Sequence, residues 1–258
     1  MPYVLTASLV AAALFVGMLV LLEMGRRIGA RRAERDPEKA TAGLSAVDGA
    51  VFGLMGLLVA FSFSGAAARF DARRHLIVEE TNDIGTAYLR LDLLPASAQP
   101  ALRESFRRYV DARLAIYRKL TDIEAAKEEL AHARRLQNEI WSQAVSACRA
   151  AESPATTTLV LSALNTMIDI TTTRTMAMQM HPPTSIFVML FGLALASALL
   201  AGYGMAAGKA RSWLHMCGFA AIVALAVYVI LDLEYPRLGF IRLDAFDQAL
   251  VELRESMN

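Results

Sequence analysis

Residues 47–94 read VDGAVFGLMGLLVAFSFSGAAARFDARRHLIVEETNDIGTAYLRLDLL. The first half is apolar enough for a bilayer, the second is dense with charge, and no proline interrupts them before Pro95. Taken as one helix, the stretch is roughly 70 Å long, of which the hydrocarbon core of a bilayer covers only about 30 Å. The remainder must project into water. Such a helix joins a membrane layer rigidly to an extramembrane layer, so the chain reads as an all-α integral membrane protein.

Composition agrees with a divided molecule. A hydrophobic content of 55% and a mean hydropathy of +0.39 are too apolar for an ordinary soluble domain, while 20% charged residues are too many for an all-membrane one. The charge is segregated, because Asp71 to His181 carries fourteen Lys and Arg against fourteen Asp and Glu while the long apolar runs carry almost none. A neutral middle segment argues against nucleic acid as a partner, since phosphate binding needs a basic excess on one face. Mixed signs in this pattern suit solvated helix faces laced with local ion pairs. His75, His132, His181 and His215 show no ligand spacing with one another or with Cys148 and Cys217, so no metal or other cofactor is implied. The two cysteines lie in unlike environments, which disfavours a disulfide between them. No phosphate loop, nucleophile elbow or zinc-protease motif occurs, and the chain does not read as an enzyme.

Four runs meet the length for a membrane helix: Val4 to Met24, Val47 to Phe63 with its small-residue continuation, Ser185 to Ala207, and Trp213 to Leu231. The first lacks a basic leader and is expected to remain as an anchor. The expected divisions are 1–46 for the first membrane helix and a basic loop, 47–70 for the second, 71–181 for an extramembrane helical bundle, 182–232 for the third and fourth, and 233–258 for a turn and short amphipathic helix. Arg26, Arg27, Arg31, Arg32, Arg35 and Lys39 in the first connection, with Lys209 and Arg211 in the third, place those connections in the cytoplasm and the middle segment outside.

The middle segment carries four apolar stripes. Ile77, Ile84 and Leu91 recur every seven residues with Tyr88 beside them, giving the extension of the second membrane helix one seam. Leu102, Phe106, Val110, Leu114 and Tyr117 form the next; Ile123, Ala126, Leu130, Ala133, Ile140, Ala144 and Cys148 the third; Leu161, Leu164, Ile168 and Thr171 the fourth. Pro154 suits the first turn of that last helix, and Pro182 with Pro183 ends it. Two long rods, Val47 to Leu94 and Pro154 to Met180, are expected side by side, capped or flanked by a hairpin of two shorter helices. Phe246, Leu250 and Leu253 give the terminal helix one apolar face.

The densest polar cluster is Arg69, Asp71, Arg73, Arg74, Glu79, Glu80, Asn82 and Asp83. It reads either as an interfacial belt of snorkelling arginines and local pairs or as a charged vestibule at a pore mouth. Asp71 reaches Arg74 at i,i+3, and Arg73 and Glu80 share a face. In the apolar part of the same helix, Phe61, Ser62, Phe63 and Ser64 alternate bulk with hydroxyls, either for helix packing or as a narrow gate. Gly49, Gly53 and Gly56 permit close helix approach. On the returning rod, Asn165, Asp169 and Arg174 are placed to pair with Arg90, Asp92 or Glu80 and fix register. Asp232 and Glu234 are placed to meet Arg69 or Arg73.

Three segments carry a resemblance: FSFSGAAARFDARRHLIVEETNDIGTAYLRLDLLP (61–95), LNTMIDITTTRT followed by HPP (164–183), and LDLEYPRLGFIRLD (231–244). In order and spacing they resemble the bacterial bestrophin-like membrane proteins. The resemblance implies an oligomeric ion channel of the bacterial inner membrane, with the second membrane helix near a pore axis. It puts Phe61 to Ser64 at a neck and Arg69 to Glu80 at a vestibule, with small ions, anions foremost, and the lipid bilayer as partners. Bestrophins keep their helical domain in the cytoplasm, opposite to the side given by the Lys and Arg count. The competing expectation is a non-conducting scaffold or sensor whose helical bundle binds a partner.

Overall fold

The computed structural model describes residues 2–35, 44–119, 122–207 and 212–257. Every regular element among them is helical. The long helices, in chain order, are α1 (Pro2–Arg35), α2 (Leu44–Leu89), α3 (Gln99–Arg118), α4 (Ile123–Ala151), α5 (Pro154–Gln179), α6 (Thr184–Gly204), α7 (Trp213–Glu234) and α8 (Asp244–Ser256). A short 3₁₀ turn, Arg90–Leu93, extends α2 to two residues before Pro95. Four helices are long and apolar enough to cross a membrane, namely α1, α6, α7 and the first half of α2. Lys39, Lys209 and Arg211, which entered the orientation count, lie outside the described residues. The arginines from Arg26 to Arg35 sit on α1 itself and not on a loop, and Glu23 pairs with Arg26 at 3.1 Å and Arg27 at 2.8 Å.

The chain divides into two compact units, Met1–Arg69 with His181–Ile241, and Phe70–Met180 with Arg242–Asn258. In the first unit, α1 packs on α6 and α7. Two glycines allow the α1–α6 approach. A Cβ on Gly25 would lie 2.0 Å from the Leu199 carbonyl oxygen, and one on Gly202 would lie 2.0 Å from that of Leu22. Backbones this close exclude any side chain, which is how small residues serve membrane helix packing. By contrast, Gly49, Gly53 and Gly56 of α2 face open space, so the close approach expected there is made by α1 and α6 instead. The apolar part of α2 joins its unit through side chains: Phe52 meets Phe219 edge-on with centroids 6.1 Å apart, and Arg69 pairs with Glu234.

In the second unit, α3 packs on α4, α4 on α5, and α8 on α3. Ile77, Ile84 and Tyr88 of α2 and Leu91 of the 3₁₀ turn are buried, the last three in a core that includes Phe106, Tyr109, Ile140, Leu164, Met167 and Leu250. Local signals bound the helices. The Asp122 carboxylate accepts from the Ala125 N–H at 3.1 Å, and the Ser153 hydroxyl accepts from that of Thr156 at 3.3 Å with Pro154 at the first helical position. Glu152, at φ 50°, ends α4 in the left-handed region. The buried residues of α5 are Val160, Ala163, Leu164, Met167, Ile170, Thr171 and Arg174, so Leu161 and Ile168 of the expected stripe flank them half-buried. The hairpin is not made of two shorter helices, because α4 has 29 residues against 26 in α5.

Candidate functional site

On the membrane part of α2, Phe61, Phe63 and Ser64 are exposed, while Ser62 is half-buried with an unpartnered Oγ. The helix continues through Gly65 and the alanines to Arg69. There the guanidinium grips the Glu234 carboxylate of α7, with Nε 2.9 Å and 3.2 Å from its two oxygens. Glu234 is fully buried, and His181 also lies near it, with Nδ1 3.5 Å from Oε2. The His181 ring stacks on Tyr235 at 4.6 Å, Tyr235 lies against Tyr3 at 4.8 Å, and the Tyr3 hydroxyl donates to the Leu231 carbonyl at 2.8 Å. Asp232 meets neither Arg69 nor Arg73. It accepts from the backbone N–H of Phe240 at 3.0 Å and Ile241 at 2.8 Å, holding the turn after α7.

Past Arg69 the polar residues separate into distinct tasks. Asp71 pairs with Arg74 at 3.0 Å. The Arg74 guanidinium also lies 5.5 Å over the Phe70 ring and 5.0 Å over that of Phe246, distances typical of cation–π contact. Arg73 is buried and donates to the Ala177 carbonyl at 3.2 Å and the Met180 carbonyl at 2.9 Å, supplying a positive charge to the C-terminus of α5. Glu79 and Asn82 are exposed. Asp83 is half-buried with Oδ2 unpartnered, and its carboxyl is pushed up by burial and then by Glu79 and Glu80.

Glu80 is the hub of the second unit. It is fully buried, accepts from Arg113 Nε at 2.5 Å through one oxygen, and accepts from Arg174 Nη1 through the other. Burial alone would push its carboxyl up, but the Arg113 and Arg174 guanidiniums outweigh that and hold it below the usual carboxylate range. Arg113 also donates to the Tyr117 hydroxyl at 2.8 Å, and Arg174 stacks over the Tyr117 ring at 4.1 Å. A neutral network lies beside it, where Gln137 Nε2 donates to Tyr109 Oη at 3.1 Å and to Thr171 Oγ1 at 3.0 Å. Burial pushes the Tyr109 phenol up to about 12.

Of the register candidates, Arg174 and Glu80 meet. Asn165 and Asp169 instead bond each other at 2.8 Å on an exposed face. Arg90 donates to the backbone carbonyl of Leu159 at 2.6 Å, and Asp92 pairs with Arg103. Sequence reasoning missed Arg113, Tyr109, Gln137 and His181. Arg113 had a readable signal, because it falls between Val110 and Tyr117 on the stripe of α3, where an arginine implies a buried partner.

No curated protein sequence matches the chain. The fold is similar to crystal structures of a bacterial bestrophin homologue from Klebsiella pneumoniae in three single-substitution forms. One is 14% identical with a TM-score of 0.68, covering 94% of this chain and 98% of that one. A second is 16% identical with a TM-score of 0.66 and the same coverage of 94% and 98%. The third is 15% identical with a TM-score of 0.65, covering 93% and 97%. A family model described as the bestrophin-like domain matches residues 5–245, which is nearly the whole chain, and the chain therefore belongs to the bestrophin-like family.

Proposed function

We propose that this bestrophin-type membrane protein is a homo-oligomeric ion channel in which the apolar half of α2 lines the pathway, and that small anions are its main cargo. One observation carries the reading. The apolar window of α2 is the least covered of the four, with 11% of its residues buried by the chain's own atoms against 17%, 28% and 33% in the others. Gly49, Gly53 and Gly56 face open space, and Phe61, Phe63 and Ser64 are exposed. A helix so bare, carrying small and hydroxylic residues beside phenylalanines, fits a pore wall completed by copies of itself, with the phenylalanines as an apolar constriction. Family membership supports the same reading. The anion preference rests on Arg69, which keeps 31% of its side chain exposed while paired with Glu234.

The test is flux from liposomes carrying the purified protein, together with subunit number in detergent by native mass spectrometry. Chloride efflux above that of empty vesicles, from a preparation with more than one subunit, is the expected result. A monomer that passes neither chloride nor potassium would overturn the reading and favour a non-conducting scaffold.

The count of Lys and Arg near membrane ends supports an inner-membrane topology with residues 71–181 outside. A cysteine placed at exposed Ala101 should then react with an impermeant maleimide in intact spheroplasts. Reaction only after lysis would put this segment in the cytoplasm, as in bestrophins.

A further inference from the structure

Between α3, α4 and α5 the second unit opens into a cavity of about 400 Å³. That size lies within the range of small-molecule sites, which are mostly apolar with a few placed polar groups. Its lining has this character. Ile116, Leu130 and Met178 supply apolar surface, while Arg113, Arg174 and Lys127 bring positive charge.

The polar wall has more donors than acceptors. A guanidinium carries several N–H donors and no acceptor. Glu80 spends one oxygen on Arg113 and the other on Arg174. The second donor nitrogen of Arg113 goes to the Tyr117 hydroxyl at 2.8 Å. Among the described residues its Nη1 meets no acceptor. Arg174 Nη2 reaches Asp247 only at 3.4 Å, well beyond the roughly 2.7–2.9 Å of a good charge-assisted bond. Both arginines are almost fully buried, and both line the cavity. The Tyr117 ring, with Arg174 stacked 4.1 Å above it, gives a flat surface at the same place.

We propose that this cavity is a binding site for a small organic carboxylate. Its two oxygens, which only accept, would take the spare donors of Arg113, Arg174 and Lys127, and its apolar body would lie against Tyr117, Ile116, Leu130 and Met178. The site is complete within one chain and does not depend on ion conduction.

The experiment is titration calorimetry on the full chain in lipid nanodiscs, with 4-phenylbutanoate as probe and its neutral amide as control. The carboxylate should bind, and the amide should bind about tenfold more weakly or not at all, the scale of one lost charge-assisted hydrogen bond. Leu130→Trp fills the cavity and should abolish binding. Lys127→Glu changes an exposed rim residue that pairs with Glu124 at 2.8 Å, and should weaken binding several-fold while the protein stays folded. Equal binding of acid and amide, no binding of the acid at millimolar concentration, or full binding by folded Lys127→Glu would each overturn the proposal. Should Leu130→Trp fail to fold, Lys127→Glu decides alone.

Discussion

Glu80 on α2 and Arg113 on α3 meet at 2.5 Å with 0% and 2% of their side chains exposed, and Arg174 of α5 closes the set from the opposite oxygen. Three helices are thus keyed to one carboxylate. Truncating it strands two buried guanidiniums, and breaking a buried pair from one side typically costs about 3–5 kcal/mol. Glu80→Ala is expected to lower the melting temperature of the detergent-purified protein sharply. An unchanged melting curve would show that the hub does not hold the second unit together.

The same hub gives a pH dependence of known sign. The folded carboxyl of Glu80 lies below its unfolded value, so its stabilisation is present in full above the unfolded pKa of about 4.3 and is lost as pH falls through the folded value. Acid unfolding should steepen below about pH 4.3, and Glu80→Gln should flatten that limb. Asp83 has the opposite sign. Its carboxyl is raised by burial and by Glu79 and Glu80, so it weakens the fold at neutral pH and the penalty fades in acid. Asp83→Asn should therefore raise the melting temperature modestly at pH 7, with the difference from wild type closing at low pH.

At the end of α7, a Cβ on Gly239 would lie 1.6 Å from the Asp232 Oδ1 atom that holds the Phe240 N–H. Gly239→Ala must push this buried carboxylate off its two backbone donors, at about 1–3 kcal/mol for the groups left unsatisfied. Thermal melting combined with proteolysis at the Tyr235–Ile241 turn would reveal it. A variant as resistant as wild type would mean that the turn shifts without losing its anchor.

Two glycines separate chain folding from assembly. At Gly202 an added methyl would sit 2.0 Å from the Leu22 carbonyl oxygen, so Gly202→Ala should force α1 and α6 apart and lower the yield of folded protein. Gly56 faces open space within the chain. Gly56→Leu should leave helix content and single-chain stability intact, yet change subunit number and reduce liposome flux. Normal assembly and flux in Gly56→Leu would remove this face from the proposed interface.

Ser64 is exposed on the same helix. In a background lacking Cys148 and Cys217, Ser64→Cys treated with a charged methanethiosulfonate should lose most of its chloride flux, while a cysteine at Leu214 at the start of α7 (82% exposed) should not. Equal insensitivity at both positions would argue that the pathway runs elsewhere.

The sequence by itself determined the parts of this protein that depend on neighbours along the chain. Four apolar runs, a second helix running on past the membrane segment to just before Pro95, the stripes of α3 and α4, a helix start at Pro154 and a stop before Pro182 follow from hydrophobic periodicity and from the backbone geometry of proline, both legible within a few turns of helix. Tertiary structure alone decided which polar groups meet. Asn165 and Asp169 turn outward to each other while Arg174, on the same helix, turns in to Glu80. Arg73 donates to the carbonyls at the end of α5, while Arg69 pairs with Glu234. The glycines that seat helices together are those of α1 and α6, not α2. The physical reason is rotational. A helix advances about 100° per residue, so spacing tells which residues share a face but not which neighbour that face will find. That is set by how the helices pack about one another, and for buried charges it is what makes the difference between a satisfied pair and an untenable one.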